Sequence, residues 1–315
     1  VFGPIHSNGG IRFDGVAHNL ITSARSDYDD PDHTGVNEYG VHTHKLPVDP
    51  YPPNAYPART DVFMAGRQFP VPAVDFVGLS SDLADIKTQA TSDGRYFSHS
   101  GSLGYLMILK TDDSFDLYKV TSLESPPSGC SSSQTNWGTW SVKKKSLVGN
   151  YAFPSNGLIF VEDNLWVSGQ IKMARLTIAS ARFPDSVTTN TSITINQDLK
   201  YTYFDGQDTL ALIAQNNINV GLKSEDDLEI HGALVAKNGR VGRFYYNSAC
   251  GSEYKRENLN LFGLIATNVR YGFAYVDGTG YENRYLNYDG NLLYGPPPSF
   301  PLTSDQYETI SWREL

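Results

Sequence analysis

Apolar residues along this chain recur in two short interleaved phrases. One runs Leu212-Ile213-Ala214-Gln215-Asn216, Leu234-Val235-Ala236-Lys237-Asn238 and Leu264-Ile265-Ala266-Thr267-Asn268, with a fainter copy at Leu176-Thr177-Ile178-Ala179-Ser180. The other alternates apolar and variable positions before a glycine: Leu165-Trp166-Val167-Ser168-Gly169, Leu228-Glu229-Ile230-His231-Gly232 and Leu259-Asn260-Leu261-Phe262-Gly263. Alternation of this kind suits a strand with one buried face. The clear copies of the first phrase lie 22 and 30 residues apart, and the faint copy lies 36 before them. No apolar spacing of three and four accompanies these periods, so helical repeats are excluded in favour of stacked strands.

The pattern predicts a mainly β protein built as a right-handed parallel β-helix, a solenoid whose coils bury Leu, Ile and Val inward. The handedness follows the general preference of parallel crossovers. An antiparallel sandwich whose strands share composition is the alternative. Asn216, Asn238 and Asn268 stand at expected corners, where Asn tolerates a left-handed backbone and can form an amide ladder. Residues 1–25 read as a first coil and 148–270 as the core of the solenoid. Residues 26–78 form a long Pro/Asp/His-rich excursion, and 79–147 a helix-plus-hairpin insertion. Leu79, Leu83, Ile86 and Ala90 line one face of the predicted helix, with Ser80 or Ser81 as its cap and Gly94 as its end. Residues 104–110 and 115–120 flank Thr111-Asp112-Asp113-Ser114 as a hairpin, and 137–147 reads as a further strand. Residues 271–315 form a C-terminal aromatic cap and arm that protects the last coil.

Composition narrows the classes. Among 315 residues there are 20 Tyr, 15 Phe, 28 Gly and 17 Pro, which favours strands and turns over helices. The formal charge of −9, with Lys143-Lys144-Lys145 as the one basic cluster, argues against nucleic acid as a partner. Those lysines read as a solvated strand edge that discourages strand addition. No apolar run approaches the ~18 residues of a membrane-spanning helix. The chain opens at Val1-Phe2-Gly3-Pro4 without an initiator Met, as expected of a processed or excised ectodomain. Cys130 and Cys250 either bridge, as in an exported protein, or stand as independent thiols.

Candidate chemistry lies off the repeat. Asp27, Asp29, Asp30 and Asp32 gather carboxylates as hard-cation loops do, giving a candidate Ca²⁺ site. The loop departs from the EF-hand pattern, with Asp32 where a glycine belongs. A plain acidic loop is the alternative. His42-Thr43-His44, with His33 or His6, is a candidate transition-metal set. Glu229 and His231 share a strand face, but no partner acid is evident in neighbouring coils, so no catalytic set is assigned. Neither a Gly-x-Ser-x-Gly elbow, a His-Glu-x-x-His helix nor a Gly-rich phosphate loop occurs. Tyr271, Tyr275, Tyr281, Tyr285, Tyr288 and Tyr294 are candidates for contact with a glycan or a neighbouring subunit, or for capping the core.

Gly3-Pro4-Ile5-His6-Ser7-Asn8-Gly9, Leu165-Trp166-Val167-Ser168-Gly169 and Leu210-Ala211-Leu212-Ile213-Ala214-Gln215-Asn216-Asn217-Ile218 together resemble a bacterial family of pilin-like or minor-pilin-associated surface proteins. The likeness extends through Tyr271-Gly272-Phe273-Ala274-Tyr275 to the arm at 294–300. Members typically carry an N-terminal prepilin helix, absent from this sequence, before a β-helical ectodomain. The resemblance implies a non-enzymatic structural or adhesive protein, outside the cell on the bacterial surface, whose partners are other subunits of a type IV pilus-like fibre. A carbohydrate-binding or carbohydrate-active β-helix is the alternative.

Overall fold

Strands dominate because β-branched and aromatic residues fill the periodic segments: a computed structural model, describing residues 3–301, is 39% strand and 8% helix. The part of the predicted C-terminal cap beyond Pro301 lies outside the described residues. Contacts divide the chain into one unit of residues 1–75 with 286–288, and a second of 76–285 with the remainder.

The first unit holds seven short strands, β1 (Ile5–Ser7), β2 (Ile11–Arg12), β3 (Ile21–Ser23), β4 (Asp27–Asp29), β5 (Asn37–Tyr39), β6 (Val41–His42) and β7 (Arg67–Gln68). β3 pairs in parallel with β1 and β7, β2 pairs in parallel with β6, and β4–β5 is an antiparallel hairpin. The sequence reading separated 1–25 from 26–78. The structure joins them, because β2–β6 and β3–β7 pairs cross that boundary and Ala17, Ile21, Val41, Val62 and Phe63 share one core. At its centre the Arg67 guanidinium lies over the Phe63 and Tyr56 rings and pairs with buried Asp49 at 2.5 Å.

The second unit begins with α1 (Leu79–Ser92), whose Leu79, Leu83, Ile86 and Ala90 are buried as their spacing predicts. Its cap is Gly78, without a side-chain hydrogen bond, and Ser81 instead donates its hydroxyl to the Gly78 carbonyl. After β8 (Arg95–Phe97), the antiparallel strands β9 (Gly104–Leu109) and β10 (Ser114–Leu123) form the predicted hairpin. The strand expected at 137–147 is shifted to β11 (Val142–Ala152). Trp137 and Trp140 are held elsewhere, packed on Leu222, Phe244 and Tyr246. Lys143, Lys144 and Lys145 lie on exposed β11, which is paired with β10 alone among the described residues.

Then follow β12 (Leu158–Val161), β13 (Leu165–Ile171), β14 (Arg175–Ser180), β15 (Ile193–Thr194), β16 (Leu199–Tyr201), β17 (Thr209–Ala214), β18 (Ile218–Val220), β19 (Asp227–Ala236), β20 (Val241–Arg243) and β21 (Lys255–Thr267). They build a large curled sheet, almost wholly parallel, in three runs. In the first, Phe160, Ala179, Ile213, Val235 and Ala266 stand side by side. Leu165, Ile193, Ile218 and Val241 form the second, and Leu109, Gly169, Leu199, Ile230 and Leu261 the third. α1 covers Phe160, Ala179, Ile213 and Val235, so that run is buried on both faces, which is why its strands read as continuous apolar stretches. Each such fully buried Ile or Leu contributes about 1.5–3 kcal/mol. β22 (Gly280–Tyr288) closes the sheet beside β21, and Leu292 of the short α2 (Asn291–Tyr294) packs on Ala211 and Ala233.

The alternating phrase pairs residue for residue, Leu228 beside Leu259 through Gly232 beside Gly263. The Leu-Ile-Ala phrase does so only between Leu212 and Leu234; Leu234 lies beside Ile265, one position off the expected Leu264. The expected Asn corner is displaced too. Asn238 bonds Asp185, while Asn164 accepts from the Ser192 N–H and Asn217 from the Arg240 N–H. The Asn side chain that ties neighbouring segments is therefore Asn217, one residue later than the phrase suggests. Cys130 and Cys250 form a disulfide across 120 residues, fastening the Ser/Pro/Gly-rich segment 124–136 to the turn at Ser248–Cys250.

Candidate metal centre and a carboxylate face

In the first unit the β4–β5 hairpin sets Asp29 opposite Asn37 and so brings Asp30 and Glu38 together. β6 follows after a single residue and delivers His42, then His44. The Asp30 N–H donates to Glu38 Oε2 at 3.4 Å, and His33 Nδ1 lies 2.8 Å from Glu38 Oε1. His42 is 1% exposed, and its Nδ1 lies 2.9 Å from the Tyr39 carbonyl. A carbonyl only accepts, so Nδ1 carries the proton and Nε2 presents a lone pair. Burial depresses the His42 pKa more than the Tyr39 carbonyl and the Glu38 charge raise it, keeping the ring neutral. Its Nε2 faces Asp30 Oδ2 at 3.8 Å, and His44 Nε2 lies 3.4 Å from Glu38 Oε1. Asp30 Oδ2, His42 Nε2 and His44 Nε2 are all buried without a hydrogen-bond partner.

Two triads with mutually close ligand atoms result, Asp30–His42–His44 and His33–Glu38–His44, sharing His44. Of the four aspartates offered as a Ca²⁺ loop, only Asp30 belongs to either triad among the described residues. Asp29 and Asp32 are exposed: Asp29 accepts from the Gly35 N–H, and the Asp32 N–H donates to Asp30. His6, the other sequence candidate, bonds Thr22 and Asn8. Sequence reading found the histidines but not Glu38 as their companion, because the hairpin that folds Glu38 back leaves no periodic trace.

The second unit carries a different constellation. Glu229 does have acidic neighbours: its N–H donates to Asp198 Oδ1 at 2.9 Å, and the Asp198 N–H donates to Glu225 Oε2 at 3.2 Å. Burial works to raise the Asp198 carboxyl, but the Lys200 ammonium at 2.8 Å and the Glu229 N–H outweigh it and hold the group below its usual range. Burial, then the adjoining Asp198 carboxylate, raise Glu225. His231 accepts the Tyr201 N–H at its Nδ1, and burial with the Lys200 charge pushes it down to about 4. Tyr201, Phe204, His231 and Phe262 pack edge to face beside these groups. Trp166 and His231, at variable positions of the alternating phrase, are both buried, and the Trp166 indole donates to the Trp140 carbonyl.

The cap tyrosines divide. Tyr281 is fully buried, its hydroxyl within 2.8 Å of Ser224 Oγ, and burial raises it to about 12. Tyr275 donates to the Arg243 carbonyl, and Tyr288 is half-buried. Tyr271, Tyr285 and Tyr294 are exposed. No helix among the described residues is long and apolar enough to cross a membrane. No protein-family model, curated protein or solved structure matches this chain.

Proposed function

We propose that this chain is a non-enzymatic structural protein of the bacterial exterior, a right-handed parallel β-helix serving as the ectodomain of a pilin-like surface fibre. The observation that carries this reading is the ten-residue parallel pairing of β19 with β21, unbroken from Asp227–Asn258 to Ala236–Thr267, within a sheet of further parallel neighbours. In a solenoid of this kind each repeating unit contacts only its neighbours. The Cys130–Cys250 disulfide accords with an oxidising compartment. Exposed Tyr271, Tyr285 and Tyr294 supply aromatic surface for a neighbouring subunit. Electron microscopy of sheared surface filaments with a labelled antibody tests this: periodic labelling is expected, and label confined to the cytosol contradicts it.

A second reading, a carbohydrate-binding or carbohydrate-active β-helix, is favoured by the Asp198–Glu225–Glu229 face with Phe204 beside it. Opposed carboxyl shifts of this kind separate acid from base in glycoside chemistry. Turnover of an acidic polysaccharide that is abolished by Glu229→Gln would establish it over the structural reading.

A further inference from the structure

Three buried polar atoms without a hydrogen-bond partner, Asp30 Oδ2, His42 Nε2 and His44 Nε2, lie within 4.8 Å of one another, with the Arg12 guanidinium 3.6 Å from Asp30 Oδ2. An unsatisfied buried polar atom costs about 1–3 kcal/mol, and proteins rarely leave one, let alone three in contact. A shared proton does not resolve this arrangement. The 3.8 Å between His42 Nε2 and Asp30 Oδ2 is too long for a hydrogen bond, and His42 already spends its one proton on the Tyr39 carbonyl. A cation resolves it. Ligands bound at about 2.1 Å around a tetrahedral ion stand about 3.4 Å apart. The His42 Nε2–Asp30 Oδ2 gap is a few tenths of an ångström wider, at 3.8 Å, and His44 Nε2 lies within 4.8 Å of both.

We propose that Asp30 Oδ2, His42 Nε2 and His44 Nε2 form a site for one divalent transition-metal ion of the zinc class, with Glu38 Oε1 beside it, 3.4 Å from His44 Nε2. The Asp30 and Glu38 carboxylates offset part of the charge of the ion and of the Arg12 guanidinium, which lies 3.6 Å from Asp30 Oδ2. Two imidazoles select zinc, cobalt, nickel or copper over calcium and magnesium, whose preferred shell is all oxygen. The supporting contacts are in place. The Tyr39 carbonyl orients His42 through Nδ1, and the Asp30 N–H holds the second oxygen of Glu38. His33 stands on the open side, 44% exposed and stacked on Tyr51, and hands its Glu38 contact to the entering ion. A bound ion clamps the β4–β5 hairpin to β6, which makes the site structural. The inference is independent of the fibre reading, since it rests on the first unit alone.

The full chain, stripped with a chelator and dialysed, is titrated with Co²⁺ while its visible spectrum is recorded. One equivalent with the intense bands of a tetrahedral site is expected, displaced by Zn²⁺ and unaffected by excess Ca²⁺. His44→Gln, at the half-buried ligand, and the isosteric Asp30→Asn each weaken binding at least about tenfold. Circular dichroism of the metal-free variants verifies folding, and His42→Ala is the stricter test if it folds. Absence of saturable binding overturns the proposal. So do weak octahedral bands retained by both variants, or equal competition by Ca²⁺.

Discussion

His42 Nε2 and Asp30 Oδ2 face each other across 3.8 Å, both buried and neither hydrogen bonded. Two acceptors in that position oppose each other, offset in part by the Arg12 guanidinium 3.6 Å from Asp30 Oδ2. Asp30→Asn puts a donor where Oδ2 stands and keeps the oxygen that accepts the Asp32 N–H. In chelator this variant is expected to unfold at higher urea than the parent, by about 1 kcal/mol. In excess Zn²⁺ the order reverses: the parent gains about 2.7 kcal/mol at a hundredfold excess over Kd, and the variant gains little. Urea denaturation of both proteins under both conditions checks the crossing.

Gly232 and Gly263 are neighbours in the β19–β21 pairing, and both have positive φ. A Cβ on Gly263 would stand 1.9 Å from the Gly232 carbonyl oxygen, at a φ of +155°. Overpacking and backbone strain combine, so Gly263→Ala is expected to cost about 2–4 kcal/mol. Gly35 also has positive φ, but a Cβ there meets nothing within 4 Å. Gly35→Ala is therefore the milder control in a thermal melt.

His231 titrates at about 4 in the fold against its usual 6.5. The unfolded chain takes up the proton first as pH falls, so the folded state loses stability from about pH 6.5 down towards 4. The His231 contribution reaches about 3 kcal/mol at most, at 1.36 kcal/mol per pKa unit. His231→Asn keeps an acceptor for the Tyr201 N–H and has no titrating ring. Its stability, followed by denaturant titration between pH 7 and pH 4, should fall less steeply than the parent's.

Cys130 and Cys250 close a loop of 120 residues. The paired change Cys130→Ser and Cys250→Ser is expected to lower unfolding stability by about 2–5 kcal/mol, and added reductant should then have no further effect. Melting curves with and without reductant measure both.

The one-position slip between Leu234 and Ile265 shows where the sequence was legible and where it was not. In Leu228–Gly232 and Leu259–Gly263 the residues alternate in character, and the aligned letters are the paired residues. In the Leu-Ile-Ala phrase both faces are buried, one inside the curled sheet and one under α1. Either face accepts Leu, Ile or Ala, so the letters no longer distinguish inward from outward. The face of α1 was plain because one side of that helix stays wet. For the candidate metal site, His42 and His44 were visible as a pair. Asp30 was visible only as one acid among four, and Glu38 joined them through a hairpin too short to have a period. Asp198 and Glu225 escaped notice because they reach Glu229 across strand neighbours rather than along one strand.

Parallel stacking in register is the central claim, and disulfide trapping tests it directly. Parallel neighbours stand about 4.8 Å apart, within the 4.4–6.8 Å that a disulfide spans between Cα atoms. Asp227 pairs with Asn258 at one end of the β19–β21 ladder, and Ala236 with Thr267 at the other. Three double-cysteine variants are compared under mild oxidation: Asp227→Cys with Asn258→Cys, Ala236→Cys with Thr267→Cys, and the crossed pair Asp227→Cys with Thr267→Cys. Rapid bonding in the first two and none in the third is the predicted result. Bonding in the crossed pair, with the first two unbonded, would show antiparallel strands and contradict the proposed solenoid.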